Sequence, residues 1–141
     1  MRPIEFESSV QGLLSSCHLP TGDLSSSSKV LLFGHSFERA LTGVVGLELY
    51  GSDALLRSLA VTESQRGSGL GAALVSHAEK QAVARGAQAV YLLTTTASEF
   101  FERLGYSHTP RSAAPVAIAS TSQFSELCPS SAEFMVKRLD G

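Results

Sequence analysis

A glycine-rich turn between a strand pattern and a helix pattern is the feature that most constrains this fold. The run "QRGSGLG" places Gly67, Gly69 and Gly71 at alternate positions, and an alanine-rich helix pattern begins on them. A glycine in a helix interior costs about 1 kcal/mol relative to alanine, so this placement needs a functional or structural reason. Converging backbone N–H groups and the helix dipole attract anions at such a start. The turn therefore predicts a site for a phosphate or pyrophosphate.

The other apolar patterns surround this unit with strands and helices. Three consecutive strand patterns with short turns are typical of an antiparallel meander. A fourth strand follows the helix. The connection between the third and fourth strands is long enough to be a crossover, so these two strands are expected to be parallel. The predicted class is α/β, a mixed antiparallel and parallel sheet of about six to seven strands flanked by helices. Strands are predicted at residues 2–6, 29–35, 41–51, 54–61, 89–95 and 133–139, and helices at 8–19, 69–85, 97–105 and about 115–127.

Composition limits the classes of protein to consider. With 141 residues and 43% hydrophobic content, the chain is expected to form a single domain over residues 1–141. A net charge of -2 and 17% charged residues provide no basic surface for nucleic acid. Cys17 and Cys128 form no metal-binding or disulfide pattern. Because we find neither an apolar run of about 20 residues nor a signal-peptide core, we expect a soluble, cytoplasmic protein without membrane partners.

Three kinds of phosphate site can be compared with the turn. A P-loop requires a lysine directly after its second glycine, but the next lysine is Lys80, so that class is excluded. A dinucleotide site fits "GSGLGA", yet the acidic residue expected near the end of the next strand is missing and the first carboxylate beyond it is Glu99. The third interpretation takes "RGSGLG" as R-x-x-G-x-G. A purely structural explanation, tight packing at the glycines, leaves a second motif unexplained.

That second motif is "ASEFFERLGY", about 30 residues downstream. With both motifs, the chain resembles the GNAT superfamily of N-acetyltransferases, whose acetyl-CoA motif is Q/R-x-x-G-x-G/A and whose later segment is A-x-x-F-Y-x-x-x-G-F. The resemblance extends from about residue 29 to 139 and implies the GNAT fold, acetyl-CoA as co-substrate and no metal. It implies a CoA site formed by the turn, the third strand and the second helix. The implied residues are Leu59, Val61, Arg66, Gly67, Ser68, Gly69, Leu70, Gly71, Ala72, Ala97, Phe100 and Phe101.

The same resemblance implies that the thioester lies in a gap between the third and fourth strands. An alkyl amine has a pKa of about 10.4 and must lose a proton before it attacks. The backbone N–H of Val61 could stabilise the oxyanion that develops. Phe101 replaces the tyrosine that commonly protonates the departing thiolate in this family. Ser98 and the hydroxyls at residues 94–96 are the alternative donors, and Tyr106 is expected in the core.

The third strand carries an arginine in place of the glutamate that serves many relatives as the base. Arg57 could bind an anionic group of the acceptor in a bidentate manner. Strand alternation predicts four side chains on one face of the sheet: Leu55, Arg57, Leu59 and Val61. A structural ion pair with Glu48 is the alternative for Arg57. Glu48 is also the candidate base, acting through a water molecule.

The C-terminal run at residues 109–135 is similar to the end of a GNAT subgroup, the arsenic-resistance acetyltransferases of the ArsN type, through its pattern T-x-Q-F-x-x-L-C-P-x-S-A. This resemblance implies a small, amino-acid-like acceptor such as an arsenical or phosphonate analogue. Cys128 could bind arsenic or pack at a helix end.

The predicted function is therefore acetyl transfer from acetyl-CoA to a small amine. A protein or peptide acetyltransferase, acting on lysine or an N-terminus, and a non-catalytic acyl-CoA sensor are the alternatives. The closing strand could form a homodimer.

Overall fold

One mixed sheet organises the chain. The computed structural model describes residues 2–4, 12–14, 30–37, 40–62, 69–94, 97–119 and 132–139. Within these segments the sheet contains seven strands in the order β1-β2-β3-β4-β5-β7-β6. The strands are β1 (Arg2–Ile4), β2 (Val30–Phe37), β3 (Ala40–Tyr50), β4 (Asp53–Val61), β5 (Ala89–Thr94), β6 (Ser107–His108) and β7 (Glu133–Arg138).

The strand pairing follows from the connections between strands. The strands β2, β3 and β4 follow one another with two residues between each pair, and they pair antiparallel. The connection from β4 to β5 contains helix α1 (Leu70–Ala84), and β4 and β5 are parallel because a crossover returns the chain in the same direction. The strand β7 lies between β5 and β6 and is antiparallel to both. The short helices α2 (Ser98–Arg103) and α3 (Val116–Ala119) lie between β5 and β7 in the chain.

Helix α1 begins and ends at glycines that adopt a left-handed backbone conformation. Gly69 is the N-cap residue with φ of 87°, and Gly86, just after the C-cap, has φ of 92°. Glycine reaches this region without the steric cost that a Cβ brings. Between these ends, buried residues recur every three or four positions and form one apolar stripe. The stripe consists of Leu70, Leu74, Val75, Ala78 and Ala82.

Apolar side chains cover both faces of the sheet. The first face, under α1 and α2, carries a cluster that includes Phe33, Val45, Leu47, Leu56 and Leu92. The second face carries two clusters. One of these groups Leu13 and Leu14 with Leu32, Val44 and Ala60, and the other includes Leu55, Tyr91, Ile118 and Phe134. A sheet covered on both faces is typical of α/β proteins with a parallel strand pair.

The predicted elements agree with these bounds to within about two residues wherever the structure describes them. The predicted fold class, including the parallel β4–β5 pair, is confirmed. The two-residue strand β6 was not predicted. Of the two remaining predicted helices, only residues 12–14 and 116–119 are described as helical, and residues 120–131 lie outside the described segments. Of the helices that the structure describes, none has the length and apolar character needed to cross a membrane.

Candidate active site

A gap opens between β4 and β5 where their pairing stops. The two strands pair at Asp53 with Ala89, Ala54 with Val90 and Leu55 with Tyr91. Both strands continue past the last pair, β4 by six residues and β5 by three. At the open end the Thr62 N–H donates to the Thr42 carbonyl of the β3 side at 2.8 Å. Because successive N–H groups of a strand point to opposite sides, the Val61 N–H is directed to the β5 side, toward the gap.

The first turn of α1 lies at the open end of this gap. A Cβ placed on Gly71 would lie 3.3 Å from Cζ of Phe100 and 3.9 Å from Cγ2 of Val61. Gly71 therefore allows β4, α1 and α2 to approach closely. Gly69, Leu70 and Ala72 belong to the same turn, whose leading N–H groups have no acceptor within the helix. Arg66, Gly67 and Ser68 lie outside the described residues.

Helix α2 forms the side of the gap next to β5. Thr94 Oγ1 accepts a hydrogen bond at 3.0 Å from the N–H of Ala97, the N-cap residue of α2, which itself has no side-chain cap. Ser98, the first residue of α2, is partly exposed. The Thr94 hydroxyl thus binds the backbone just before α2, and the donor roles of Thr94 and Ser98 stay predictions. Thr95 and Thr96 lie outside the described residues.

The aromatic residues of α2 separate into a partly exposed ring and a buried one. Phe100 is partly exposed and faces Gly71, whereas Phe101 is buried. The Phe101 ring packs edge-to-face against Phe100, with centroids 5.1 Å apart, and against Tyr106, at 5.6 Å. Ala97 and Leu59 pack against the same first-face cluster. The participation of these four residues in CoA binding stays a prediction.

A β-bulge interrupts β4 beside the gap. Arg57 pairs with Gly46, but Ala60 pairs with Val44, so two residues of β4 lie opposite Val45 alone. Ser58 has φ of 57° and is the only non-glycine residue with positive φ in the described part of the chain. The extra residue changes which side chains face the core.

The bulge makes one prediction wrong. Leu55 belongs to the second face, whereas Leu59 and Val61 pack against the cluster of the first face. Arg57 lies before the bulge and has the strand parity of Leu55. The four side chains therefore do not share one face of the sheet, because the residue inserted at Ser58 reverses the alternation after Arg57.

Arg57 and Glu48 form a buried ion pair on the second face. Arg57 Nη1 lies 2.9 Å from Glu48 Oε2, and the exposed fractions of the two side chains are 0% and 7%. The Tyr50 hydroxyl donates a hydrogen bond to Glu48 Oε1. We call Glu48, Tyr50 and Arg57 the Glu48 cluster. Since both carboxylate oxygens accept hydrogen bonds, the geometry favours a structural role for Glu48 over that of a base.

A second cluster of a glutamate, a tyrosine and a cation links α1 to β7 and is defined by Glu79, Tyr106 and Lys137. The Tyr106 hydroxyl donates to Glu79 Oε2 at 2.9 Å, and Lys137 Nζ lies 3.1 Å from Glu79 Oε1. Burial raises the pKa of Tyr106 well above its ordinary range, and the charge of Glu79 adds to the rise. Tyr106 therefore stays protonated, and its burial agrees with its predicted place in the core. We call these three residues the Glu79 cluster.

One residue that sequence reasoning missed is Gly46 in β3. A Cβ on Gly46 would lie 3.1 Å from Cγ of Arg57 and 3.2 Å from its carbonyl oxygen. The Arg57 stem therefore crosses β3 over this glycine to reach Glu48. An isolated glycine inside a strand pattern is a signal of such a close approach. The signal was present in "LTGVVGLELY".

In the described part of the chain, no group of three His, Cys, Asp or Glu side chains is placed to hold a metal ion. Cys128 lies outside the described residues.

Comparisons with known proteins agree with this geometry. Residues 32–108 match the family model described as an acetyltransferase (GNAT) domain. The N-acetylglutamate synthase of Neisseria gonorrhoeae, crystallised with coenzyme A and N-acetyl-glutamate, superposes with a TM-score of 0.77 at 17% identity over 97% of this chain. This chain spans 34% of that synthase.

Two further solved structures match along most of both chains. A GNAT-family acetyltransferase of Staphylococcus aureus Mu50 has a TM-score of 0.77 at 17% identity and covers 98% of each chain. An aminoglycoside 6'-N-acetyltransferase complexed with coenzyme A has a TM-score of 0.68 at 19% identity, over 98% of this chain and 97% of its own. At these identities the structures support the fold alone. No curated protein matches the chain by sequence.

Proposed function

The chain belongs to the GNAT family of acetyltransferases, and we propose that it transfers an acetyl group from acetyl-CoA directly to the amine of a small, anionic or amino-acid-like acceptor. The observation that carries this proposal is the early end of the β4–β5 pairing beside the glycine-capped start of α1. The thioester arm fits the gap, where it can hydrogen-bond to a strand edge. We assign the pyrophosphate to the start of α1, whose first N–H groups have no acceptor within the helix.

The chemistry in the gap is a single displacement. The neutral amine attacks the thioester carbonyl, a C–N bond forms, the C–S bond breaks, and the thiolate leaves with the electron pair. The Val61 N–H faces the gap and donates to the oxyanion. The nitrogen releases one proton to water or to a base, and the thiolate takes one from Ser98 or from water. A thiol with a pKa near 8.5 needs little assistance at neutral pH, so the substitution at Phe101 is compatible with turnover.

The proposed acceptor class rests on comparison. One similar protein was crystallised with N-acetyl-glutamate and another acetylates aminoglycosides, both small molecules. Because the C-terminal run resembles the ArsN type, the candidate acceptors also include arsenical and phosphonate analogues of amino acids. The role of Arg57 as the cation that holds the anionic group stays a prediction, and its buried ion pair with Glu48 favours a structural role instead. We also propose that the protein is located in the cytoplasm and forms a homodimer.

Release of free thiol from acetyl-CoA over a panel of amines tests the function. The panel contains acidic amino acids, a phosphonate analogue, an arsenical analogue, an aminoglycoside and a lysine peptide. We expect turnover with one of the anionic small amines. Turnover on the peptide alone would establish the protein acetyltransferase instead. Tight CoA binding without turnover on any amine would establish the sensor.

Substitution of Gly69 tests the phosphate site. Two unit charges about 4 Å apart interact by about 4 kcal/mol at an effective dielectric constant of about 20, so after screening Gly69→Asp should weaken acetyl-CoA binding by roughly tenfold or more. Gly69→Asn is the matched control, because asparagine has the same shape, tolerates a positive φ equally and carries no charge. Calorimetric titration of both variants measures the difference. Equal affinities would contradict the assignment of this turn to the phosphates.

A further inference from the structure

The bulge at Ser58 sets the direction of the backbone that faces the gap. If β4 continued in regular alternation through Ser58, with no bulge, Leu59 and Val61 would lie on the second face, and the N–H groups of this stretch would exchange sides. The bulge depends on a positive φ at Ser58. An L-residue with a Cβ adopts this region at a cost of about 1–2 kcal/mol. Surrounding contacts must therefore hold Ser58 in place.

The Glu48 cluster supplies those contacts. Arg57 Nε donates to Ser58 Oγ at 3.1 Å, so the guanidinium and the bulge residue are bonded directly. The other side of the guanidinium is bound by Glu48, and Glu48 is bound by Tyr50. The Arg57 stem is confined above Gly46. A guanidinium with a rigid fork of donors, fixed at several points and without solvent exposure, restricts the position of the Ser58 side chain.

We propose that Arg57, held by Glu48, is a positioning residue that keeps Ser58 in its left-handed conformation and thereby directs the Val61 N–H into the gap. The inference rests on the proposed function, because its consequence for the rate requires acetyl transfer at this site. It assigns Arg57 a role different from binding the anionic group of the acceptor. The two roles make opposite predictions for kinetics.

A charge-neutral pair of substitutions tests the role without leaving a charge buried alone. In Glu48→Gln/Arg57→Met, the bond to Ser58 is lost and we expect kcat to fall roughly 10- to 100-fold, as for a misplacement of about 1 Å at a reacting centre. The KM for the amine should stay unchanged whether the amine is anionic or neutral. Circular dichroism confirms that the variant is folded.

Adding Ser58→Gly to this double variant is the decisive step. Glycine adopts a positive φ without a Cβ penalty, so it should keep the bulge without the Arg57 contact and restore most of the lost kcat. The single variant Ser58→Gly is measured in parallel and gives the reference value for the restored kcat. If Glu48 and Arg57 only stabilised the fold, their substitution would change the fraction of folded protein but not the kcat per folded molecule.

Three results would overturn the proposal. The first is an unchanged kcat in Glu48→Gln/Arg57→Met. The second is a lost kcat that Ser58→Gly does not restore. The third is a KM increase confined to anionic amines, which would assign Arg57 to the acceptor.

Backbone resonances separate this inference from the proposed function. If the unmodified protein releases no thiol with any amine, the proposed function fails, and the amide shifts of Leu59 and Val61 then decide the inference. They should move in the double variant and return when Ser58→Gly is added. Amide shifts that are equal in all variants would overturn the positioning role independently of activity.

Discussion

The Glu48 cluster and the Glu79 cluster contain the same chemistry in two different places. Each has a glutamate that accepts one hydrogen bond from a tyrosine and one contact from a cation. In the Glu48 cluster the cation is fully buried and lies beside the bulge that borders the gap. In the Glu79 cluster the lysine is 29% exposed and the contacts join α1 to β7.

The difference teaches that residue type and burial do not by themselves identify a functional cluster. A tyrosine with a strongly raised pKa is a candidate catalytic group by a general rule, yet Tyr106 owes its shift to burial and to Glu79. Glu48 and Arg57 act on the gap only because Arg57 also bonds to Ser58. Connection to the gap therefore distinguishes the two clusters.

The largest difference should appear when each cation is removed. Arg57→Met leaves the Glu48 charge in a site where its side chain is 7% exposed, and breaking a buried pair in this way costs about 3–5 kcal/mol of unfolding free energy. Lys137→Met is the matched change in the partly exposed Glu79 cluster and should cost about 1 kcal/mol or less of unfolding free energy. Urea unfolding followed by circular dichroism measures both. Equal losses would mean that the two pairs are equally solvated.

Removal of each tyrosine hydroxyl should produce similar stability losses but different kinetics. Tyr50→Phe and Tyr106→Phe each delete one hydrogen bond to a carboxylate, which costs about 1.5–3 kcal/mol. Tyr50→Phe loosens Glu48 and should lower kcat several-fold, whereas Tyr106→Phe should leave kcat and its pH profile unchanged. The raised pKa of Tyr106 is the reason, since its hydroxyl does not ionise near neutral pH. A loss of the basic limb of the pH profile in Tyr106→Phe would instead make Tyr106 the missing acid.

The elements on either side of the bulge show how far the sequence could predict this molecule. Apolar periodicity located β4 and α1, and glycine placement located both ends of α1, because burial and backbone sterics act locally. The prediction from strand alternation, which assigned alternate side chains of β4 to one face, is wrong after Arg57. Serine has no strong preference for a positive φ, so nothing in "LLRSLAV" indicates a bulge.

The contacts that hold the bulge arise only in the folded sheet. Glu48 and Arg57 become neighbours because β3 and β4 pair, and the pairing puts Gly46 opposite Arg57. The sequence could name the ion pair as an alternative, since both residues lie on adjacent predicted strands. It could not rank the pair above substrate binding, because that choice depends on burial and on the Ser58 contact.

The smallest expected change in stability comes from His77 on α1, whose buried ring nitrogen belongs to neither cluster. His77 Nε2 is buried and has no hydrogen-bond partner among the described residues, and the ring packs edge-to-face against Phe33 at 4.9 Å. Burial lowers the pKa of His77 below 6.5, and the charge of Lys80 contributes.

The unfolded chain therefore binds a proton at His77 more readily than the folded protein does. The free energy of unfolding should be fully retained above pH 6.5 and should decrease as the pH falls from 6.5 through the lower pKa of the folded state. His77→Gln removes this titration and should flatten the dependence of stability on pH between about 7.5 and 5, measured by urea unfolding at each pH. If the slope of stability against pH is the same in His77→Gln and in the unmodified protein, the His77 ring is solvated. Its nitrogen beside Phe33 then costs less free energy than the loss of a contact in either cluster.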